Sequence, residues 1–396
     1  MQLIEVTTPA LAREFLRVNV HLNRRFPGYI RPLDKDMEEI FDPASNKAFR
    51  FGEASRWILR DEAGQPAGRI AAFTNSKYKN KGDTVPVGGI GFFDCINNQQ
   101  AADMLFDVAK HWLLQRGMEA MDGPINFGER DRWWGLLVEG FGREPIFGMP
   151  YNPPYYKDLF EGYGFRNFYE QYWYGMKVHD PLPPRFAERY EKFRTKKDYS
   201  ARNAVGRSLE QCARDFSTVY NAAWAQHEEG KEVTMEQALK LFKKMKPVMD
   251  PKTVWFAYYK EDPIAMFISV PDVNQFTKHF NGKLGILEKL RFLWMKKTGQ
   301  CRKLVGLVFG VVPKYQALGV DSFMIQEAAL VTQKIYQYED YEMGWAGDWN
   351  PKMINIYRNL GGKQSRKMIT YRYIFDPVKN PFQRHPMMDY KLPGQR

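Results

Sequence analysis

The chain has 396 residues, of which 44% are hydrophobic, 15% aromatic and 26% charged. At roughly 100–200 residues per domain that is more than one ordinary domain, and the mixture excludes a disordered, collagen-like or coiled-coil protein. The net charge of +12 is unevenly placed: residues 1–200 carry 28 Lys+Arg against 27 Asp+Glu, and residues 201–396 carry 30 against 19, so an anionic partner such as a nucleotide-like cofactor, nucleic acid or a membrane surface is expected on the second half.

The N-terminus, MQLIEVTTPALAREF, has no basic segment followed by an uninterrupted apolar run, and no later window reaches about 18 apolar residues. A cytoplasmic protein with no membrane span is expected. Cys95, Cys212 and Cys301 share no C-x-x-C spacing, which argues against a disulfide scaffold or a zinc site. The six histidines show no i, i+4 pairing and no cysteine neighbours, so no metal site is expected.

From the N-terminus onward the chain reads as two copies of one plan. An amphipathic helix carries Leu11, Phe15, Leu16 and Val20 on one face, followed by a short helix at Met37-Glu38-Glu39-Ile40. A hairpin then runs from Trp57 to Thr74 around Asp61-Glu62-Ala63-Gly64, where turn residues separate two apolar strands. A strand over Gly88 to Phe93, a helix at about 101–116, a further strand, a helix opening near Asn152-Pro153 and ending at Gly164, and an aromatic strand over Phe168 to Met176 complete the copy. Asp180-Pro181-Leu182-Pro183-Pro184 interrupts periodic structure and marks the linker.

The second copy repeats the order. Its first helix carries Leu209, Cys212, Phe216, Val219 and Tyr220, and Met235-Glu236-Gln237-Ala238 stands 198 residues after the first Met-Glu segment. The hairpin Trp255 to Ser269 begins at the same offset of 198 from Trp57. A strand over Leu304 to Val312, a helix at about 321–337, a strand, a helix from Asn350-Pro351 to Gly361 and a strand over Met368 to Phe375 follow. Glycine ends both late helices, as a left-handed C-cap requires. The repeat predicts an α/β (α+β) fold with a mixed sheet in each copy. The expected divisions are an N-terminal domain (1–180), a linker and connecting helix (181–200), a C-terminal domain (201–378) and a tail (379–396).

The passage from Leu304 to Ile325 places a buried strand, then Pro313, then a glycine loop, then a helix. Unpaired amides and the positive end of the helix dipole make that junction a place for a phosphate. Pro313-Lys314-Tyr315-Gln316-Ala317-Leu318-Gly319-Val320-Asp321 resembles the pyrophosphate loop, Arg/Gln-x-x-Gly-x-Gly/Ala, of the GNAT acyltransferase superfamily. Gln316 and Gly319 match; Asp321 stands where Gly or Ala is usual, a repulsive departure beside a diphosphate. The segment Asn350 to Gly361 is similar to the helix that lies beside the pantetheine arm in that family.

The resemblance implies two tandem GNAT-like acyl-CoA N-acyltransferase domains. The first is degenerate, because Phe93 to Gln100 has no glycine; the second holds acetyl-CoA or another acyl-CoA as co-substrate. It further implies that the backbone of Val311 and Val312 meets the pantetheine. Gln316, Ala317, Leu318, Gly319, Val320 and Asp321 would hold the diphosphate, Asn350 would border the site, and Tyr357 would protonate the departing thiolate, a role a phenol suits. The acceptor would be a small-molecule or peptide amine. Two other readings remain: a Fem-type transferase that uses aminoacyl-tRNA, so that tRNA is the partner, and a non-catalytic acyl-CoA-binding protein.

No general base stands out. Glu342, Asp348, Glu228 and Glu229 are candidates by position, each expected foremost as a solvated surface charge. Gly128-Glu129-Arg130-Asp131-Arg132-Trp133-Trp134-Gly135 is expected to be a surface loop over packed tryptophans, with a substrate cleft between the domains as its functional alternative. Lys289 to Lys297 interleaves charge with apolar residues, as an amphipathic helix or a nucleic-acid surface does.

Overall fold

The structure is a computed structural model, and it describes residues 1–224 and 232–388. The first copy runs β1 (Gln2–Glu5), α1 (Pro9–Asn23), α2 (Asp34–Ile40), β2 (Ala54–Arg60), β3 (Pro66–Phe73), β4 (Val87–Cys95), α3 (Gln99–Leu114), β5 (Ala120–Gly123), β6 (Leu136–Glu139), α4 (Tyr156–Tyr163) and β7 (Arg166–Lys177). After α5 (Pro184–Arg194) the second copy runs β8 (Tyr199–Asn203), α6 (Leu209–Trp224), α7 (Met235–Met245), β9 (Val254–Tyr259) and β10 (Asp262–Pro271). It continues with α8 (Asn274–Thr277), α9 (Ile286–Lys297), β11 (Lys303–Val311), α10 (Val320–Thr332), β12 (Asp340–Gly347), α11 (Pro351–Asn359) and β13 (Lys363–Ile374).

The repeat expected from the sequence is present, with two additions. The first copy gains β6. The second gains α8 and α9 between β10 and β11, where the first has only the connection 74–86.

The thirteen strands of the described residues form one sheet, in the order β1-β2-β3-β4-β5-β13-β7-β12-β11-β10-β9-β8, with β6 paired to β13. β4 runs parallel to β5 and β11 parallel to β12, and the remaining neighbours are antiparallel. The two aromatic strands expected to close their own copies do not do so. β13, the last strand of the second copy, lies against β5 of the first, and β7 of the first lies against β12 of the second. The two exchanged strands pair with each other from Lys363↔Gly175 to Arg372↔Arg166, and a pseudo-twofold axis passes between them.

Buried charge holds the exchange in register. The Arg372 guanidinium donates through Nε to Asp122 Oδ1 at 2.6 Å and through Nη2 to Oδ2 at 2.7 Å, and its Nη1 lies 2.8 Å from Asp83. Arg366, also on β13, pairs with Glu342 of β12 at 2.6 Å. Such pairs fix register because an unmatched buried charge is costly. Apolar clusters cover both faces: Phe15, Leu16 and Ile58 under α1, Phe106 and Leu105 under α3, Phe216 and Phe242 under α6 and α7, and Phe193 and Phe323 between α5 and α10. Among the described residues no helix is long and apolar enough to cross a membrane.

Candidate functional site

β11 and β12 pair only over Lys303↔Asp340, Leu304↔Tyr341 and Val305↔Glu342. Beyond those residues each strand continues with its outer neighbour alone, so the sheet opens between them. Gly306 and Gly344 stand where the opening begins. A Cβ on Gly306 would come within 2.5 Å of the Tyr341 hydroxyl, which reaches under β11 to Ser269 Oγ at 3.1 Å. A Cβ on Gly344 would come within 3.5 Å of the Tyr357 hydroxyl.

The loop after β11 leads into α10 through Gly319 at φ 97°, a left-handed conformation that suits glycine, with a Cβ there 3.3 Å from the Phe193 ring. Gly319 offers no capping side chain, so the start of α10 lacks the usual side-chain acceptor for its first-turn amides among the described residues. Ala317 also has positive φ, at 62°, and Gln316, Ala317 and Leu318 are exposed. Two cations flank this turn. Arg189 of α5 donates to Ser322 Oγ at 3.1 Å, and Lys352 at the start of α11 donates to Gln316 Oε1 at 3.1 Å. They supply the positive charge that the sequence pattern leaves missing beside Asp321, which lies in the first turn of α10. Lys352 is adjacent to a recognised motif in sequence; Arg189 could be found only in three dimensions, since α5 is the connecting helix.

The other expected site residues fall around this junction with specific local duties. Val312 donates its N–H to the Ile264 carbonyl at 2.9 Å, and the Val311 carbonyl accepts from Gln316 Nε2 at 3.0 Å. The Val320 side chain is fully buried under α5. Asn350 caps α11 by accepting from Met353 N–H at 3.0 Å. Tyr357 is 7% exposed, packs its ring 5.7 Å from that of Tyr174, and makes no hydrogen bond through its hydroxyl among the described residues. Burial pushes its phenol well above the usual tyrosine range, with Tyr341 adding to the shift.

Beneath the opening lies a small apolar cavity of about 80 Å³, open on one side to solvent. Ala328, Ala329 and Thr332 of α10 face Phe267, Leu304 and Met343 of the sheet across it. Ile325, Met343 and Leu360 both line it and pack in the cluster that contains Tyr357. Sequence periodicity showed α10 as an amphipathic helix but not the space left under its small residues.

On the opposite face of the sheet the Gly128 to Gly135 segment packs its tryptophans and borders a cavity. Trp134 is buried and donates through Nε1 to the Tyr169 hydroxyl at 2.6 Å. Arg130 and Trp133 line a second, smaller cavity, of about 30 Å³, with Gln171 and Trp173 of β7 and Trp345 of β12. Gln171 Oε1 and Trp173 Nε1 are buried there without a hydrogen-bond partner among the described residues, an acceptor and a donor beside an incompletely satisfied space.

The expected carboxylates separate clearly. Glu342 is not a solvated charge: it is 3% exposed and held by Arg366 and Ser365. Asp348 follows β12 at the open end of the split, bonded by Arg384 Nη2 at 2.6 Å. Burial raises its carboxyl above its ordinary value, partly offset by a backbone hydrogen bond and by Arg384. Glu228 and Glu229 lie outside the described residues. Among the described residues no cluster of three His, Cys, Asp or Glu side chains is placed to hold a metal ion.

The corresponding place in the first copy is filled from within. Asn98 caps α3 by accepting from Ala101 N–H, so that helix start already has its acceptor. The chain after β5 folds back onto β4, with Ile125 N–H on the Ile90 carbonyl at 2.8 Å and the Ile125 carbonyl oxygen occupying the position of any Cβ on Gly91. Tyr156 closes the end of β4 by accepting from Cys95 N–H at 2.9 Å.

Two parallel strands that part, a helix N-terminus beside the parting and a repeat of the whole arrangement match solved proteins. A tandem GNAT protein from the clavulanic acid biosynthesis pathway superposes with a TM-score of 0.53 at 10% identity, over 95% of this chain and 100% of its own. The chain has the tandem GNAT fold. A fungal GCN5-related glucosamine N-acetyltransferase region shares the GNAT architecture at a TM-score of 0.53 and 10% identity, over 94% of this chain and 38% of the multi-domain chain that contains it. No family model matches the sequence. Two curated proteins are similar along nearly the whole GNAT-fold chain. The bacterial ceramide synthase of Caulobacter vibrioides is 25% identical over 375 residues, 94% of this chain and 96% of its own. Protein YghO of Escherichia coli is 24% identical over 353 residues, 87% of this chain and 88% of its own.

Proposed function

We propose that the chain is an acyl-CoA-dependent N-acyltransferase whose second GNAT copy holds a long-chain acyl donor and passes the acyl group to a long-chain amine. The observation that carries this reading is the placement along α10. Its N-terminus, flanked by Arg189 and Lys352, suits a diphosphate, and its later turns wall a cavity lined almost entirely by apolar side chains. The similarity to a ceramide synthase supports the same substrate class, since a ceramide is an amide between a fatty acid and a long-chain amino alcohol.

In this reading the amides from Gln316 to Asp321 and the two cations hold the diphosphate, and the acyl chain lies among Ile325, Ala328 and Met343. The donor supplies an activated thioester carbonyl. The chain's own residues orient it at the opening between β11 and β12, exclude water, and place Tyr357 to give its proton to the departing sulfur. Asp348, at the open end, accepts the amine proton. The polar-ended cavity at Gln171 and Trp173 receives the acceptor's amino-alcohol head.

The test is release of free coenzyme A thiol from acetyl-, octanoyl- and palmitoyl-CoA with sphinganine as acceptor. Turnover with the long donor is expected, and Tyr357→Phe should lower kcat by about 10²–10⁴ while KM stays within a few-fold. Absence of acyl-CoA binding by the wild type would overturn the reading; turnover confined to acetyl-CoA would overturn the long-chain assignment.

A further inference from the structure

The second copy's insertion between β10 and β11 carries a feature that acyl transfer does not use. α9 turns Ile286, Leu287, Leu290, Leu293 and Trp294 outward, at 78%, 77%, 59%, 58% and 59% exposure. Their spacing of i, i+1, i+4, i+7 and i+8 puts all five on one face of a helix. The opposite face is anchored: Met295 is buried in a cluster with Phe276, Phe280 and Cys301, and the Phe292 ring meets that of Phe276 edge-on at 4.8 Å. The helix is therefore held firmly with its apolar stripe outward, where a monomer in water gains nothing from it.

Around the stripe the charge is almost all positive. Lys283, Lys289, Arg291 and Lys297 are exposed on or beside α9. Lys296 donates to the Pro247 carbonyl at 2.5 Å, and this contact brings alongside the exposed Lys243, Lys244 and Lys246 at the end of α7. The single acid in the helix, Glu288, is engaged with the helix's own start, accepting from Gly285 N–H at 2.8 Å. Leucines and a tryptophan on one side, with lysines along both rims, are the chemistry of a helix that lies in the plane of an anionic bilayer surface. A second copy fits less well, because a self-complementary contact through this stripe would bring two basic rims together. Nucleic acid offers nothing to cover five exposed apolar side chains.

We propose that α9, with the lysine cluster at the end of α7, docks the protein on an anionic lipid surface. The inference rests on exposure, spacing and charge and is independent of the acyl-transfer reading. It gives the chain a way to meet lipid substrates at a membrane without any membrane-crossing helix among its described residues.

The experiment is flotation of the full chain with vesicles of phosphatidylcholine plus phosphatidylglycerol, and with phosphatidylcholine alone, at low and high salt. The wild type should float with the anionic vesicles and be weakened by salt. Leu287→Glu/Leu290→Glu should lower the bound fraction by at least about tenfold, and Lys289→Glu/Lys297→Glu should remove the salt-dependent part. Circular dichroism melts and light-scattering mass of the variants should match the wild type, because the changed side chains project into solvent. No flotation of the wild type, or equal flotation of the Leu287→Glu/Leu290→Glu variant, overturns the proposal. So does a wild-type dimer that the same variant dissociates while neither form floats, which would assign the stripe to a second copy.

Discussion

Asp321→Asn separates the two jobs of the loop at Gly319, because it should move folding and binding in opposite directions. Asp321 lies in the first turn of α10, a 13-residue helix whose N-cap is Gly319. There its charge interacts favourably with the helix dipole, so neutralising it should destabilise the fold by about 0.3–1 kcal/mol. A diphosphate at the same helix start would stand about 6 Å from the carboxylate, from the 1.5 Å rise per residue and a hydrogen-bonded approach ahead of it. Two unit charges at about 6 Å repel by roughly 0.7 kcal/mol at water's dielectric and about 3 kcal/mol at an effective value of 20. Salt screening favours the lower part of that range, so removing the repulsion should tighten coenzyme A binding by about five- to tenfold. Calorimetric titration of coenzyme A and a parallel urea denaturation series read the two effects separately. Affinity that is unchanged or weaker in Asp321→Asn would refute the placement of the diphosphate at this turn.

Ala328→Phe should fill the apolar cavity and shift preference toward shorter donors, by roughly fourfold in kcat/KM for each methylene excluded, since a buried methylene contributes about 0.8 kcal/mol; competition between octanoyl- and palmitoyl-CoA measures it. Asp272 is 2% exposed, accepts from Phe147 and Asn274 N–H through one oxygen, and leaves Oδ2 without a partner among the described residues. Burial, partly offset by the Phe147 hydrogen bond and Lys303, raises its carboxyl to about 6. An acid raised in the fold stabilises below the unfolded pKa of about 4 and loses that contribution as pH climbs to its folded value, so roughly 2–3 kcal/mol should disappear between about pH 4 and 6. Asp272→Asn, which keeps the accepting oxygen, should flatten that part of a urea-denaturation pH profile. Arg372→Met should leave Asp122 as an unpaired buried charge and cost about 3–5 kcal/mol; a loss under about 1 kcal/mol by urea denaturation would remove the ion pair as the lock on the exchanged strand.

Much of the fold was legible because its signals are local. Alternation, helical periodicity, Asn-Pro helix starts and terminal glycines recur at a nearly constant offset, and the structure places elements at those positions: the expected strand Leu304 to Val312 is Lys303–Val311, and the helix at about 321–337 is Val320–Thr332. The helix stops early because residues 333–339 turn to feed β12. The exchange of β7 and β13 was not legible. Alternation reports that a strand is buried, not which neighbour buries it, and both strands are aromatic enough to sit in either slot. The ion pair that distinguishes the slots joins Asp122 to Arg372 across 250 positions. Likewise the loop was readable from Gln316 and Gly319, whereas Arg189 reaches it only because α5 packs on α10.

The exchange also gives the first copy a role that its own blocked cofactor site does not supply. β7 belongs to that copy in sequence, yet it lies against β12, and its alternating residues serve both faces of the second copy's opening. Met176 and Lys177 at its end, with Val178, help wall the apolar cavity under α10, while Gln171 and Trp173 furnish an acceptor and a donor, unpaired among the described residues, to the cavity on the other face. Period-two alternation produces that division along the middle of β7: Gln171 and Trp173 face one cavity, while Tyr172, Tyr174 and Met176 lie in the Tyr357 cluster. A second copy severed from the first would keep its loop, α10 and Tyr357 but lose one wall of each cavity. In this architecture the filled copy completes the open one through a strand.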